Sequence, residues 1–141
     1  IFIACAAVAD YRPTDVQAQK IKKGSEHLTL ALQRNPDIVA AVAALEARPF
    51  TVGFAAETNA VLDHAREKLQ RKGLDMIIAN DVASRDIGFN SDDNEVTAIW
   101  AGGEQALERA SKGNIARQIL QLVAFVRSLA EVEAEPQEQG R

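Results

Sequence analysis

Cys5 is the single cysteine among 141 residues, so no internal disulfide can form, and a reducing, cytoplasmic setting is the expectation. No apolar run reaches the roughly 18–20 residues that a membrane span needs. No basic segment precedes the apolar opening IFIACAAVAD, as one would in a signal peptide. Glycine-rich phosphate loops of the P-loop or G-x-G-x-x-G type are missing, and so are His/Cys sets at metal-binding spacing. Excess positive charge is lacking too: the net charge is −4, whereas nonspecific nucleic-acid binding needs a basic face. Neither repeats nor an internal linker interrupt the chain. What is there, 47% hydrophobic and 26% charged, is the composition of one globular domain able to bury a core. The chain opens without methionine inside a strand-like run, and the expectation is that it begins partway through a longer protein.

Hydrophobic patterning divides the chain into alternating strands and helices. Residues 1–9 are nearly all apolar, the pattern of a strand buried on both faces of a parallel sheet. Residues 10–26 are polar, include Pro13 and Gly24, and read as a long loop of the length that commonly carries function. HLTLAL, residues 27–32, alternates like a strand. Asn35 and Pro36 have the chemistry of an N-cap and a first helical position, opening the helix DIVAAVAALEA. FTVGFAAE, residues 50–57, returns to the buried-strand pattern. Thr58 or Asn59 can cap a helix running to about Lys72, with Gly73 as its stop and Leu62, Ala65 and Leu69 as its apolar stripe. LDMIIAN is a short strand ending in the turn-forming pair Asn80 and Asp81, and GFNSDDN is a loop. EVTAIWAGGEQALE reads as a hairpin around Gly102 and Gly103. A last helix starts near Ser111, with Ile115, Ile119, Leu122, Val126 and Leu129 facing the core, and residues 132–141 are expected to be a disordered tail. Together these elements predict an α/β fold: a Rossmann-like open, mostly parallel sheet flanked by helices, with a C-terminal β-hairpin and a final helix.

In such sheets ligands sit beyond the carboxyl ends of the strands. That rim is expected to collect Asp10, the 10–26 loop, residues 54–57, and Asn80 with Asp81. KIKK places Lys20, Lys22 and Lys23 in this loop, either as a solvated charge run or as a mobile lid whose lysine meets phosphates. Lys68 and Lys72, at i and i+4, share a helix face and are either surface lysines or a grip for a triphosphate. Asp10 either ends its strand or accepts hydrogen bonds from a ligand. Phe54 is either core or a stacking platform. Glu57 with His64 imitates an acid–base pair but falls on a segment already explained. His27 reads as a strand-surface residue, and Cys5 as buried and inert. NSDDN lacks the ligand spacing, glycine and closing glutamate of an EF-hand and reads as a turn.

The ordered set AAVADYRP, KIKK, NPDIVAAVA, VGFAAET, AREKLQRKGLDMIIANDV and GFNSDDNEVTAIW resembles the phosphopantothenate–cysteine ligase (phosphopantothenoylcysteine synthetase) family over about residues 1–130. In bacteria this is usually the C-terminal half of a bifunctional coenzyme A biosynthesis flavoprotein. The resemblance implies activation of 4′-phosphopantothenate by CTP, with Mg2+, to an acyl-cytidylate, and attack by the amine of L-cysteine. Carried over by position, it implies that Lys20 is the catalytic lid lysine. It implies nucleotide contacts from Ala6, Asp10, Lys20, Pro36, Asp37, Ile38, Val39, Phe54, Lys68 and Lys72. It further implies a homodimer and an upstream decarboxylase domain. Residues 1–131 then form the C-terminal portion of one ligase domain. The family's upstream glycine-rich loop and asparagine do not occur in this sequence, so the chain alone is expected to turn nothing over. No FMN is expected in it. Competing readings are a Rossmann-like NAD(P)-binding oxidoreductase fragment and a non-catalytic nucleotide-binding or interaction module.

Overall fold

The computed structural model describes residues 1–21, 24, 26–57, 60–81 and 91–134. In chain order the elements are β1 (Phe2–Ile3), β2 (Tyr11–Pro13), β3 (Leu32–Arg34), α1 (Ile38–Ala43) and β4 (Thr51–Glu57). There follow α2 (Val61–Lys72), β5 (Met76–Asp81), β6 (Asp93–Trp100), β7 (Gly103–Ser111) and α3 (Lys112–Ala134). One sheet has the order β1-β4-β5-β6-β7, while β2 and β3 form a separate two-stranded ribbon. The β1–β4 and β4–β5 pairings are parallel; β6 and β7 add an antiparallel hairpin to β5.

Alternation along the strands sends successive side chains to opposite faces, and a helix layer covers each face. On one face Val52, Met76, Ile78, Val96 and Ala98 pack with Ile115, Ile119, Val123 and Val126 of α3. On the other, Ala55, Ile77, Ala79 and Ile99 pack with Ala65 and Leu69 of α2. β5, with a neighbour on each edge, has Met76, Ile77 and Ile78 fully buried. A β-carbon on Gly53 would lie 2.7 Å from Leu74 Cδ1, so the bare backbone there leaves room for Leu74 against β4. Gly73 closes α2 at φ 64, the left-handed conformation for which its sequence position selects it. Among the described residues no helix is long and apolar enough to cross a membrane.

Several expectations need correcting. The apolar 1–9 run forms only the two-residue β1, which among the described residues pairs with β4 alone, and Ile1 stays exposed. Cys5, expected buried, is exposed because it lies just past that short pairing. HLTLAL does not form a strand over residues 27–32; pairing starts at Leu32, where β2 supplies a partner. The α1 N-cap is Asp37 rather than Asn35, since it is the Asp37 side chain that accepts from Ala40 N. Asn80 and Asp81 end β5 as expected, whereas Asp93 and Asn94 of the expected loop open β6. Leu129 is exposed because the α3 stripe is buried only through Val126. Thr58, Asn59, Asn90 and the tail from residue 135 onward lie outside the described residues.

Candidate functional site

β1, β4 and β5 run in parallel, and Glu57 pairs with Asp81, so these strands end on one edge of the sheet. From that edge the chain passes Ala6, which is exposed, and reaches Asp10. There Asn35 closes a long arm. Its backbone N–H donates to the Asp10 carbonyl at 2.8 Å, and its Nδ2 donates to the Ala9 carbonyl at 2.6 Å. The Asn35 Oδ1 accepts from the Arg12 guanidinium at 2.8 Å. Asn35 thus spends its side chain on the base of the arm, which is why it is not free to cap α1.

Beyond β2 the connection to β3 carries Lys20, exposed and without an ion pair to any described residue. Lys22 and Lys23 lie outside the described residues. Val16, Ile21, Leu28 and Leu30 of the same arm expose half or more of their area, from 51% to 90%.

Past Asn35 the chain turns through Pro36 into Asp37. Asp37 Oδ1 accepts from Ala40 N at 3.1 Å, and Oδ2 receives the ammonium of Lys72 at 2.8 Å. That lysine, followed by the amides of α1, holds the Asp37 carboxyl below its ordinary value of 3.8 against the opposing effect of partial burial. Ile38 is half exposed and Val39 half-buried on the first turn of α1. Lys68 lies one turn before Lys72 on the same face, half-buried and unpaired with any described residue.

Phe54 does not join this group. By strand alternation it shares the α3 face with Val52 and Ile78, while α1 and α2 flank the other; it is 37% exposed. Lys72 ends α2 just before β5 begins, so the paired lysines occupy the flank beside α1 and not the strand-end rim. Asp10, Asn35, Asp37 and Lys72 form one connected path, with Lys68 next to it. Lys20 reaches none of them by a hydrogen bond.

One residue expected on the rim as part of a turn-forming pair, with no ligand role assigned to it, belongs to the candidate site. Asn80, opposite Ala56 at the end of β5, has its Oδ1 buried without a hydrogen-bond partner among the described residues. Strand alternation places it on the Phe54 face, near the strand ends. A buried acceptor left unmade is costly, and such a group at a strand end is suited to a ligand's donor. The signal in sequence was an amide closing a run of apolar residues. Two open clefts of about 380 and 290 Å3 lie elsewhere, the first among Arg48, Phe50, Asp75 and Arg127, the second among Gln105, Gln118 and Phe125.

Residues 1–126 match the family model described as the DNA/pantothenate metabolism flavoprotein C-terminal domain. The chain belongs to this family. The coenzyme A biosynthesis bifunctional protein CoaBC of Vibrio cholerae is 57% identical over 126 residues, covering 87% of this chain and 32% of that protein. Its namesake in Escherichia coli is 50% identical over 124 residues, covering 85% and 30%. The chain therefore spans about a third of the length of these curated relatives. Among solved structures, the C-terminal domain of a CoaBC protein superposes with a TM-score of 0.64 at 32% identity, over 87% of this chain and 53% of that one. A Streptococcus pneumoniae DNA/pantothenate metabolism flavoprotein, at 22% identity and a TM-score of 0.65, shares the fold. Both bear out the Rossmann-like α/β reading, and neither they nor the relatives favour an oxidoreductase.

Proposed function

We propose that this chain is the C-terminal portion of a phosphopantothenate–cysteine ligase, a C–N bond-forming enzyme of coenzyme A biosynthesis. The observation that carries the reading is the family match across residues 1–126, with relatives named as bifunctional coenzyme A biosynthesis proteins. The co-substrate is CTP. A carboxylate oxygen of 4′-phosphopantothenate attacks the α-phosphorus of CTP, and pyrophosphate leaves. The amine of L-cysteine then attacks the acyl carbon, loses a proton, and expels CMP as the amide forms.

Two anionic substrates must approach each other, so positive charge fixed in place is what the chain has to supply. Lys68 and Lys72 provide it on one face of α2, and Lys20 on the arm brings more when the arm folds over the phosphates. The backbone at residues 36–39 lies at a helix start, whose N–H groups are suited to anionic or carbonyl oxygens. Ala6 and Asp10 border the nucleoside. Phe54 and Asn80, on the other face from the lysines and near the strand ends, offer the base end of the nucleotide a ring and a hydrogen-bond acceptor, while the lysine flank takes its phosphates. Magnesium travels with the triphosphate and lowers its charge. Among the described residues no group of three or more His, Cys, Asp or Glu could hold a metal ion.

On this reading the protein works in the cytoplasm as a homodimer, with the remainder of the ligase domain and a decarboxylase domain upstream. The 141 residues alone are inactive. The test uses the full-length Vibrio cholerae relative with its matching 126 residues replaced by those of this chain. CMP release should require CTP, Mg2+, 4′-phosphopantothenate and L-cysteine, and Lys20→Gln should abolish it. Unchanged turnover in Lys20→Gln would remove the lid assignment; no CMP release by the unsubstituted chimera would remove the ligase reading.

A further inference from the structure

Asp37 holds two parts of the molecule with its two carboxylate oxygens. Oδ1 is fixed by Ala40 N at the start of α1, and Oδ2 binds Lys72 Nζ at the end of α2. The residues are far apart in sequence, and the ion pair is a polar link between the two helices. The Lys72 side chain is only 20% exposed, against 46% for Asp37. A lysine ammonium has three donors, and Asp37 engages one. Lys72 makes no other hydrogen bond with a described residue.

We propose that the Asp37 carboxylate, as distinct from the backbone of residues 36–39, is a positioning group that acts through Lys72 and does not itself touch the nucleotide. The assignment rests on the nucleotide-binding reading above. A free lysine samples many rotamers and loses that freedom when it meets a phosphate. Here the cap fixes the carboxylate, and the carboxylate fixes the ammonium with two donors still to give. Lys68, on the same face and unpaired with any described residue, presents a second cation one turn away. The two lysines therefore differ in kind: Lys72 is held in place beforehand, and Lys68 settles on the ligand. Aspartate repels a phosphate placed against itself, so a position behind the lysine is the one its charge permits.

Asparagine separates the two jobs of Asp37, because it caps a helix about as well as aspartate while carrying no charge. In the chimera described above, CTP and CMP binding are measured by calorimetry for Asp37→Asn, Lys72→Gln and the double variant, with thermal melts to establish folding. Acting through Lys72, Asp37→Asn weakens CTP by about tenfold and leaves CMP within about twofold, since only the polyphosphate loses its placed cation. Lys72→Gln does the same, and the double variant is no worse than either alone. Equal weakening of CTP and CMP by Asp37→Asn would mean that Asp37 contacts the nucleoside, overturning the assignment. Unchanged or tighter CTP binding would overturn it as well. Failure of the unsubstituted chimera to bind CTP overturns the ligase reading itself. If Asp37→Asn melts early, Asp37→Ser decides by the same comparison of CTP with CMP, because serine also caps a helix and carries no charge.

Discussion

Arg48 grips Asp75 through both carboxylate oxygens, with Nη2 to Oδ1 at 2.7 Å and Nη1 to Oδ2 at 3.1 Å. The same Oδ2 accepts from the backbone N–H of Thr51 at 2.7 Å, and Asp75 N donates to the Thr51 carbonyl at 3.0 Å. Arg48 also donates to the carbonyl of Gly73, so a single guanidinium ties the approach to β4 to the end of α2. Thr51 is fully buried, so its N–H has no water to turn to.

The partners should therefore be unequal in effect. Asp75→Ala should cost about 3 kcal/mol, because it orphans a buried N–H as well as the arginine. Arg48→Ala should cost about 1 kcal/mol, since its side chain is partly solvated and Asp75 keeps Thr51. Urea unfolding of both variants checks the order, and equal losses would mean that Thr51 contributes nothing to the difference.

Asn80 should behave in the opposite way. Its buried Oδ1 is unsatisfied, so Asn80→Ala removes an existing penalty along with some packing, and stability should change by less than about 1 kcal/mol. CTP binding by the chimera should nevertheless weaken by about tenfold, the worth of a hydrogen bond to a ligand donor. Intact affinity in a stable Asn80→Ala variant would show that the amide faces no ligand.

Lys72 and the α1 amides lower the Asp37 pKa, and the sign of the pH effect follows. A carboxyl depressed in the folded state contributes stability above its unfolded pKa and loses it as pH falls through the folded one. The unsubstituted chain should be more stable than Asp37→Asn at neutral pH. The two should converge only when the pH drops well below 3.8, the ordinary value of the group. Thermal melts across an acid series measure this, and a gap that closed already at mildly acidic pH would contradict it.

The arm exposes the apolar side chains of Val16, Leu28 and Leu30 by 90%, 66% and 59%. If the proposed homodimer forms there, Leu28→Glu with Leu30→Glu should shift sedimentation of the chimera from dimer to monomer. The melt of the sheet core should stay unchanged, because neither residue is buried in it. A persistent dimer would place the contact elsewhere.

Much of the scaffold could be read directly. α2 starts and stops within a few residues of its expected limits because Gly73 tolerates φ 64 and because Ala65 and Leu69 recur at helical spacing. The hairpin turns beside Gly102, and α3 buries Ile115, Ile119, Leu122 and Val126 as patterned. Patterning failed where a partner was needed: HLTLAL alternates correctly, but only residues that meet β2 become a strand. Leu129 fits the stripe by spacing, yet the burial of α3 ends before it. Asn35 and Asp37 are both sound caps by chemistry, and the choice went to Asp37 once the base of the arm had engaged Asn35.

Local chemistry alone thus specified α2, the β6–β7 hairpin and the buried stripe of α3 up to Val126, and which lysines and acids were available for a nucleotide. Those properties depend on neighbours a few residues away. The burial of Asn80 Oδ1, the separation of Phe54 from the lysine face and the commitment of Lys72 to Asp37 needed the folded chain. Each depends on groups brought together across the sheet or between helices, and no spacing along the sequence encodes those distances.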